Sequence, residues 1–321
     1  MPDSRSSTKP VAHDKYERLV KAAQAQATIK VAVAHPCDEV SLEGAIEAAR
    51  MRLIEPILVG PPDRIRSLAA SAGFDIGAFE IVASEHSHDS ATKAVALVSA
   101  GRVEALMKGS LHTDELMGAI VSRQGGIRTA RRISHCFIMD VPGHSDALII
   151  TDAAVNIAPT LDEKVDIVQN AIDLAHAMGV ADVRVAILSA METVSAKVPS
   201  TIEAAALCKM AERGQITGAL LDGPLALDNA ISPEAATIKR ISSPVAGRAN
   251  VLVVPDLEAG NMLAKSLSFL ANADAAGIVL GTRVPIILTS RADSILTRLA
   301  SCAVAVMVAA ARRKSVSAAI G

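Results

Sequence analysis

Short runs rich in Val, Ile and Leu alternate along the chain with longer stretches whose apolar positions recur every three or four residues. The short runs read as buried strands and the longer ones as helices packed against them. Strands are expected at 30–34, 56–59, 79–83, 103–107, 133–141, 147–151, 183–188, 217–221, 251–254, 277–280 and 284–288. Helices are expected at 39–52, 63–72, 90–99, 114–121, 162–178, 201–213, 233–240 and 257–270, with another long segment opening at Asp293. This is the rhythm of a doubly wound α/β sheet. It breaks once, where Pro142-Gly143-His144-Ser145-Asp146 joins two strand-like runs and predicts a hairpin. A domain junction is therefore expected in the basic stretch just before it, 124–132. The most apolar segment, 299–311, falls short of the ~20 residues of a bilayer span and predicts a buried helix, in a core or a subunit interface.

Composition narrows the class. A chain of 321 residues predicts about two domains. It has no Trp, one Tyr and four Phe, so it lacks the aromatics of a single-strand stacking platform. A formal charge of −2 argues against a duplex-binding surface, so no nucleic-acid partner is expected. Cys37, Cys136, Cys208 and Cys302 are widely spaced, without a CxxC pattern. That argues against disulfides and structural zinc, and reduced thiols in a cytoplasmic protein are the expectation. Residues 1–10 are polar and carry no apolar signal core, so no membrane association is expected. Glu85-His86-Ser87-His88-Asp89 reads as a solvated loop rather than a metal site.

The candidate chemistry sits where strands hand over to helices. Ser290-Arg291 closes the apolar run 284–289. A helix start offers unpaired N–H groups, and Arg291 adds a planar fork for phosphate or carboxylate, so the junction suits an anion. The plain alternative is a surface ion pair at Arg291. A second junction runs from Lys108 to Asp114. There Gly109 permits a turn, Thr113 is the expected N-cap, and Ser110 and His112 are available to a ligand. Asp152 with Asn156, Asp222, and Asp256 with Asn261 follow three further strand-like runs. Each cluster fits turn chemistry, yet all three are expected to share one edge of a parallel sheet. His135-Cys136 invites a thiol-nucleophile reading, but neighbours on a strand point to opposite faces. The GxSxG, GxGxxG and P-loop patterns are absent.

Taken together, Ser243-Pro244-Val245-Ala246-Gly247-Arg248-Ala249, residues 254–261, Leu221-Asp222-Gly223-Pro224-Leu225, residues 150–160 and Thr289-Ser290-Arg291-Ala292-Asp293-Ser294 resemble the phosphate acetyltransferase/phosphate butyryltransferase family. The likeness extends over most of the chain from about Lys30 onward. It implies two doubly wound α/β domains with a cleft between them, an architecture like that of isocitrate/isopropylmalate dehydrogenases. The implied boundaries are 1–129 plus 277–321 for a discontinuous first domain and 130–276 for the second. It further implies a homodimer whose substrates are coenzyme A or acyl-CoA, acyl phosphate and inorganic phosphate, with no permanently bound cofactor and no metal.

Ser290 and Arg291 match the family's cleft pair. Thr297 stands where the acetyl branch has an Asp, which leaves Asp293 as the nearest acid and the first choice for the base that deprotonates the thiol. Met117 falls on the family's second cleft Arg. Ser110, His112, Thr113, Asp152, Asn156, Asp222 and Asn261 are the expected substrate contacts. Arg128, Arg131 and Arg132 are candidates for the phosphates of CoA. Acetyl is preferred over butyryl. A non-catalytic acyl-CoA sensor and a decarboxylating dehydrogenase are the competing classes.

Overall fold

The computed structural model describes residues 14–123, 125–290 and 293–320, the side chains of 14 and 316–320 excepted. The chain begins with α1 (Asp14–Gln24), β1 (Ile29–Ala34), α2 (Glu39–Arg50), β2 (Ile54–Gly60), α3 (Pro62–Ala72), β3 (Glu80–Ala83), α4 (Ser87–Ser99), β4 (Ala105–Lys108) and α5 (Thr113–Val121). The hairpin β5 (Ser134–Asp140) and β6 (Leu148–Thr151) follows, then α6 (Leu161–Ala177), β7 (Arg184–Leu188), α7 (Pro199–Glu212), β8 (Leu220–Leu225), α8 (Leu227–Ile231), α9 (Pro233–Ile238), β9 (Val251–Val253) and α10 (Leu257–Leu270). The chain closes with β10 (Asp274–Leu280), β11 (Ile286–Ile287) and α11 (Ile295–Ile320).

All these strands join one sheet in the order β3-β2-β1-β4-β11-β10-β5-β6-β9-β7-β8. β3, β2, β1, β4 and β11 are mutually parallel, as are β6, β9, β7 and β8. β10 runs antiparallel to both β11 and β5, and β5 antiparallel to β6. Three reversals separate the parallel sets, so their carboxyl ends lie at opposite edges of the sheet. The clusters at Asp152, Asp222 and Asp256 lie on or just past β6, β8 and β9 and so share one edge, as expected, but the Ser110 and Ser290 junctions do not share it with them. Asp152 and Asp256 sit at one edge, whereas Ser110 and Ser290 sit at the other.

The core follows from the strand period of two. Val31, Val33, Met107, Cys136, Ile138, Val185, Val251, Ile278 and Ile287 bury one face beneath α2, α3, α6, α7 and α11 in one continuous cluster. The opposite face is split. Ala32, Leu106, Val279 and Ile286 pack with α4 and α5, whereas Met139, Leu148, Ile150, Ala186 and Leu252 pack with α8, α9 and α10. The boundary between these clusters falls over β10 and β5.

α11 is longer than the apolar run suggests. Ile295–Ser315 is long and apolar enough to cross a bilayer by length and composition, but 61% of its apolar window is buried inside the protein. It is a core helix. β8 also departs from expectation. It starts at Leu220 and carries Asp222 within the strand, paired opposite Ala186, rather than past its end.

Candidate active site

β4 and β11 lie side by side, with Leu106 opposite Ile286 and Met107 opposite Ile287. The two strand-to-helix junctions singled out in the sequence are therefore neighbours. β2 and β4 flank β1 on opposite sides, which makes the β1/β4 boundary the switch point where open α/β sheets bind ligands. Gly109 lies against the end of β1 so closely that a Cβ there would stand 2.4 Å from the Ala34 carbonyl oxygen. The Ser110 hydroxyl donates to the His35 carbonyl at 2.8 Å and accepts the Cys37 N–H at 3.3 Å. His112, not Thr113, occupies the N-cap position of α5, and its backbone N–H donates to Glu115 at 2.8 Å. Thr113 and His112 are both exposed beside this junction.

Ser290 is exposed just past β11. Its N–H donates to the Asp293 carboxylate at 2.6 Å, and the Asp293 N–H returns to the Ser290 carbonyl at 3.2 Å. This closed turn aims the half-buried carboxylate back at Ser290. Arg291 lies outside the described residues. Two buried cations border the junction. Lys108 ends β4, and Arg298 on α11 donates to the Thr289 hydroxyl at 2.9 Å and the Ser290 carbonyl at 2.7 Å. Sequence reading missed Arg298. An arginine four residues into an apolar helix carries no motif, although a charge inside such a stretch is itself a signal. Thr297, on the same helix, donates its N–H to the Ser294 hydroxyl at 3.2 Å, and Met117 packs against the cluster under α5.

The remaining candidates assemble at the other edge. Asp152 accepts from the N–H groups of Ala154, Val155 and Asn156 and from the Asn156 amide. Asn156 also donates to the Ile133 carbonyl and accepts from Arg132 Nε at 2.7 Å. Asn261 donates to the Ala153 carbonyl at 3.3 Å, which ties α10 to the same loop. Arg132 pairs with Glu163 at 2.9 Å and Arg131 with Asp173 at 2.5 Å, while Arg128 bridges Thr282. A groove of about 870 Å³ opens beside Arg131, Asp173, His176 and Arg312, between α6 and the far half of α11. By register, Arg132 and Ser290 stand about seven residues apart along β10, roughly 23 Å. Asp222 accepts from the Gly223 N–H on edge strand β8, six strand steps from β11, or roughly 29 Å across the sheet.

His86 caps α4, Asp89 pairs with Lys93, and His88 meets Glu115, so local contacts account for that histidine-rich loop. All four cysteines are free thiols, each held protonated by burial: Cys37 at about 11 and Cys136, Cys208 and Cys302 at about 12.

Fold and junctions define an α/β protein whose adjacent strand ends bring polar loops and two buried cations close together. A family model described as phosphate acetyl/butaryl transferase matches residues 82–306. The chain is 67% identical over 311 residues to a phosphate acetyltransferase of Rhizobium meliloti, covering 97% of this chain and 98% of that one. It is 40% identical over 294 residues to a phosphate butyryltransferase of Clostridium acetobutylicum, covering 92% and 98%. The crystal structure of a branched-chain phosphotransacylase from Enterococcus faecalis superimposes with a TM-score of 0.78 at 30% identity, covering 88% and 99%. The chain belongs to the phosphate acetyl/butyryl transferase family.

Proposed function

We propose that the protein is a phosphate acetyltransferase, converting acetyl-CoA and phosphate to acetyl phosphate and free CoA, and the reverse. The observation that carries this is the pairing of β4 with β11, which brings the Ser110 loop, the Ser290–Asp293 turn and the Lys108 and Arg298 cations together. The higher identity to an acetyltransferase than to a butyryltransferase supports acetyl as the group moved.

In the direction of thioester synthesis, the CoA thiol, with an ordinary pKa near ~8.5, must lose its proton before attack. Asp293 is the proposed base. It is already hydrogen-bonded to Ser290 and has a second oxygen for the thiol. Arg291 grips the phosphoryl group, and Ser290 donates to the reacting centre. Buried, protonated cysteines favour direct transfer between the two substrates over an acyl-enzyme. Arg128, Arg131 and Arg132 are the proposed contacts for the nucleotide end of CoA, at a remove an extended cofactor-sized molecule spans. Ser110, His112 and Thr113 are proposed phosphate-side contacts, with Asp152, Asn156 and Asn261 shaping the opposite wall. Asp222 belongs, on this reading, to the framework of β8.

Residues 1–129 with 277–321 act as one domain and 130–276 as the other. The return of β11 and α11 to the first half of the sheet supports this. Coenzyme A enters as a substrate, with no permanently bound cofactor. A homodimer is proposed through α10, whose Met262, Phe269 and Leu270 are 63%, 78% and 82% exposed. Free thiols agree with a cytoplasmic location.

The test is CoA release from acetyl-CoA with and without phosphate, repeated with propionyl- and butyryl-CoA. Phosphate-dependent release, fastest with acetyl, is expected. Equal release without phosphate makes the protein a thioesterase, and no release makes it a sensor.

A further inference from the structure

On the split face of the sheet lies a buried polar side chain that the reaction outlined above does not use. His135 is 1% exposed on β5, at the boundary of the two clusters. Its strand neighbours point the other way. Ser134 accepts from Asn170 of α6 at 2.9 Å, and Cys136 belongs to the continuous core. The period of two therefore turns His135 and Phe137 toward the split face. Phe137 meets the imidazole edge-on, with ring centroids 4.4 Å apart, and fixes its plane.

From there the ring leans across β10. A Cβ built on Gly277 would stand 3.1 Å from His135 Nε2 and 2.8 Å from the Leu288 carbonyl oxygen. Imidazole and Leu288 thus lie side by side over a position that only glycine leaves open. Leu288 is two residues before Ser290, so the ring lies beside the strand segment that leads into the Ser290 turn.

The surroundings of the two ring nitrogens fix what this ring offers. Nδ1 is buried without a partner. Asp152, just past the end of β6, is a charge that acts on the ring, but its oxygens already accept four donors from 154–156. The pair is therefore not the base-and-orienter arrangement of a catalytic triad. A proton on Nδ1 would be a buried donor with no acceptor, so the neutral tautomer carries its proton on Nε2. Burial lowers the pKa to about 4, which keeps the ring neutral at ordinary pH.

We propose that His135 is a further catalytic residue, whose Nε2–H donates to the acyl oxygen of the substrate as charge builds on it. This rests on the acyl-transfer reading. The CoA sulfur bonds to the carbonyl carbon after its proton passes to the base. The carbonyl π pair moves onto oxygen and is held by the Nε2–H without proton transfer. When the pair returns, the bond from carbon to the phosphate oxygen breaks, and phosphate leaves with that electron pair and the proton. An N–H aimed at developing oxyanion charge in a dry site contributes about 10²–10³ in rate.

The experiment compares wild type, His135→Gln and His135→Ala. Glutamine places an amide N–H near the Nε2 position, whereas alanine has no donor. We expect His135→Ala to lower kcat by about a hundredfold with little change in either KM, and His135→Gln to recover at least a tenth of wild-type kcat. Difference infrared spectra of bound acetyl-CoA labelled with carbon-13 at its carbonyl supply a readout that a structural role would not move. The C=O stretch should fall in wild type and in His135→Gln, but not in His135→Ala. Full kcat in His135→Ala, or equal band positions in all three, overturns the proposal. If alanine fails to fold, an unshifted band in wild type overturns it by itself. A wild type without phosphate-dependent CoA release fails the acyl-transfer reading itself, a distinct outcome.

Discussion

Arg298, buried on α11, holds the carbonyl of Ser290 at 2.7 Å while its other amino group holds the Thr289 hydroxyl at 2.9 Å. The end of β11 is thus pinned from beneath by a two-pronged donor, and the turn that carries the proposed chemistry stands on that pin. Lysine keeps the charge but cannot reproduce the fork. Arg298→Lys should lower kcat/KM at least tenfold and destabilise the fold by about 1–3 kcal/mol, the cost of leaving a buried acceptor unmade. Steady-state kinetics beside urea unfolding checks both numbers. Unchanged kinetics would show that Ser290 needs no such anchor.

Asp293→Asn keeps an acceptor for the Ser290 N–H and removes the base. The turn should survive, with thermal unfolding within a few degrees of wild type, while kcat falls about a hundredfold. Because the missing step is thiol deprotonation, raising the pH through the thiol range near ~8.5 should recover part of the rate in the variant. A variant as slow at pH 9 as at pH 7 would assign the carboxylate to turn-making alone.

Gly277→Ala tests the close approach over β10. The added methyl would meet a backbone carbonyl at 2.8 Å and His135 Nε2 at 3.1 Å, and the carbonyl cannot swing aside as a side chain can. A loss of about 1–3 kcal/mol is expected, typical of overpacking. Denaturant titration measures it, and a neutral result would mean that β11 is free to move away.

The expectations that came through from sequence are those governed by local pattern. The 133–141 and 147–151 runs form the antiparallel pair β5 and β6, and residues 299–311 lie in a buried helix. Register and direction were not legible, because strand pairing is decided by partners far away in the chain. Nothing near Asp152 signals that its strand runs opposite to the one before Ser290. The Thr113 cap slipped by one residue because Glu115 reaches the His112 N–H, and either residue starts a helix plausibly on composition. Asp222 reads as lying past its strand because its cluster fits turn chemistry, yet on edge strand β8 a proline costs no shared ladder bond on its outer side. On sequence alone, strand alternation leaves His135 unable to cooperate with Cys136. The alternation that separates the two is what sends the imidazole to the split face.

The same histidine predicts a pH signature. Its pKa is lowered from 6.5 to about 4 by burial, with Asp152 opposing the shift in part. As pH falls below 6.5 the unfolded chain takes up a proton that the native ring refuses. Stability fully present above 6.5 is therefore lost down to about 4, with a slope of ~1.4 kcal/mol per pH unit. His35, also lowered chiefly by burial, contributes in the same direction. The difference between wild type and His135→Gln isolates His135, and parallel curves between pH 4 and 6.5 would count against a neutral native ring.

Cys37, Cys136, Cys208 and Cys302, raised to about 11 or 12, carry almost no thiolate at pH 8. Iodoacetamide should leave native activity intact over minutes, with mass spectrometry showing unmodified protein. Rapid inactivation with a single labelled cysteine would reopen the covalent route.

The insertion of β11 between β4 and β10 bears on how the protein is made. β4 emerges from the ribosome early and must wait for nearly the whole remaining chain before its neighbour exists. Until then one of its edges is open and Ser110 faces no partner turn. Nascent chains halted before β11 should therefore be catalytically silent and prone to stick to one another through that edge, and a chaperone that shields bare strands would find its client there.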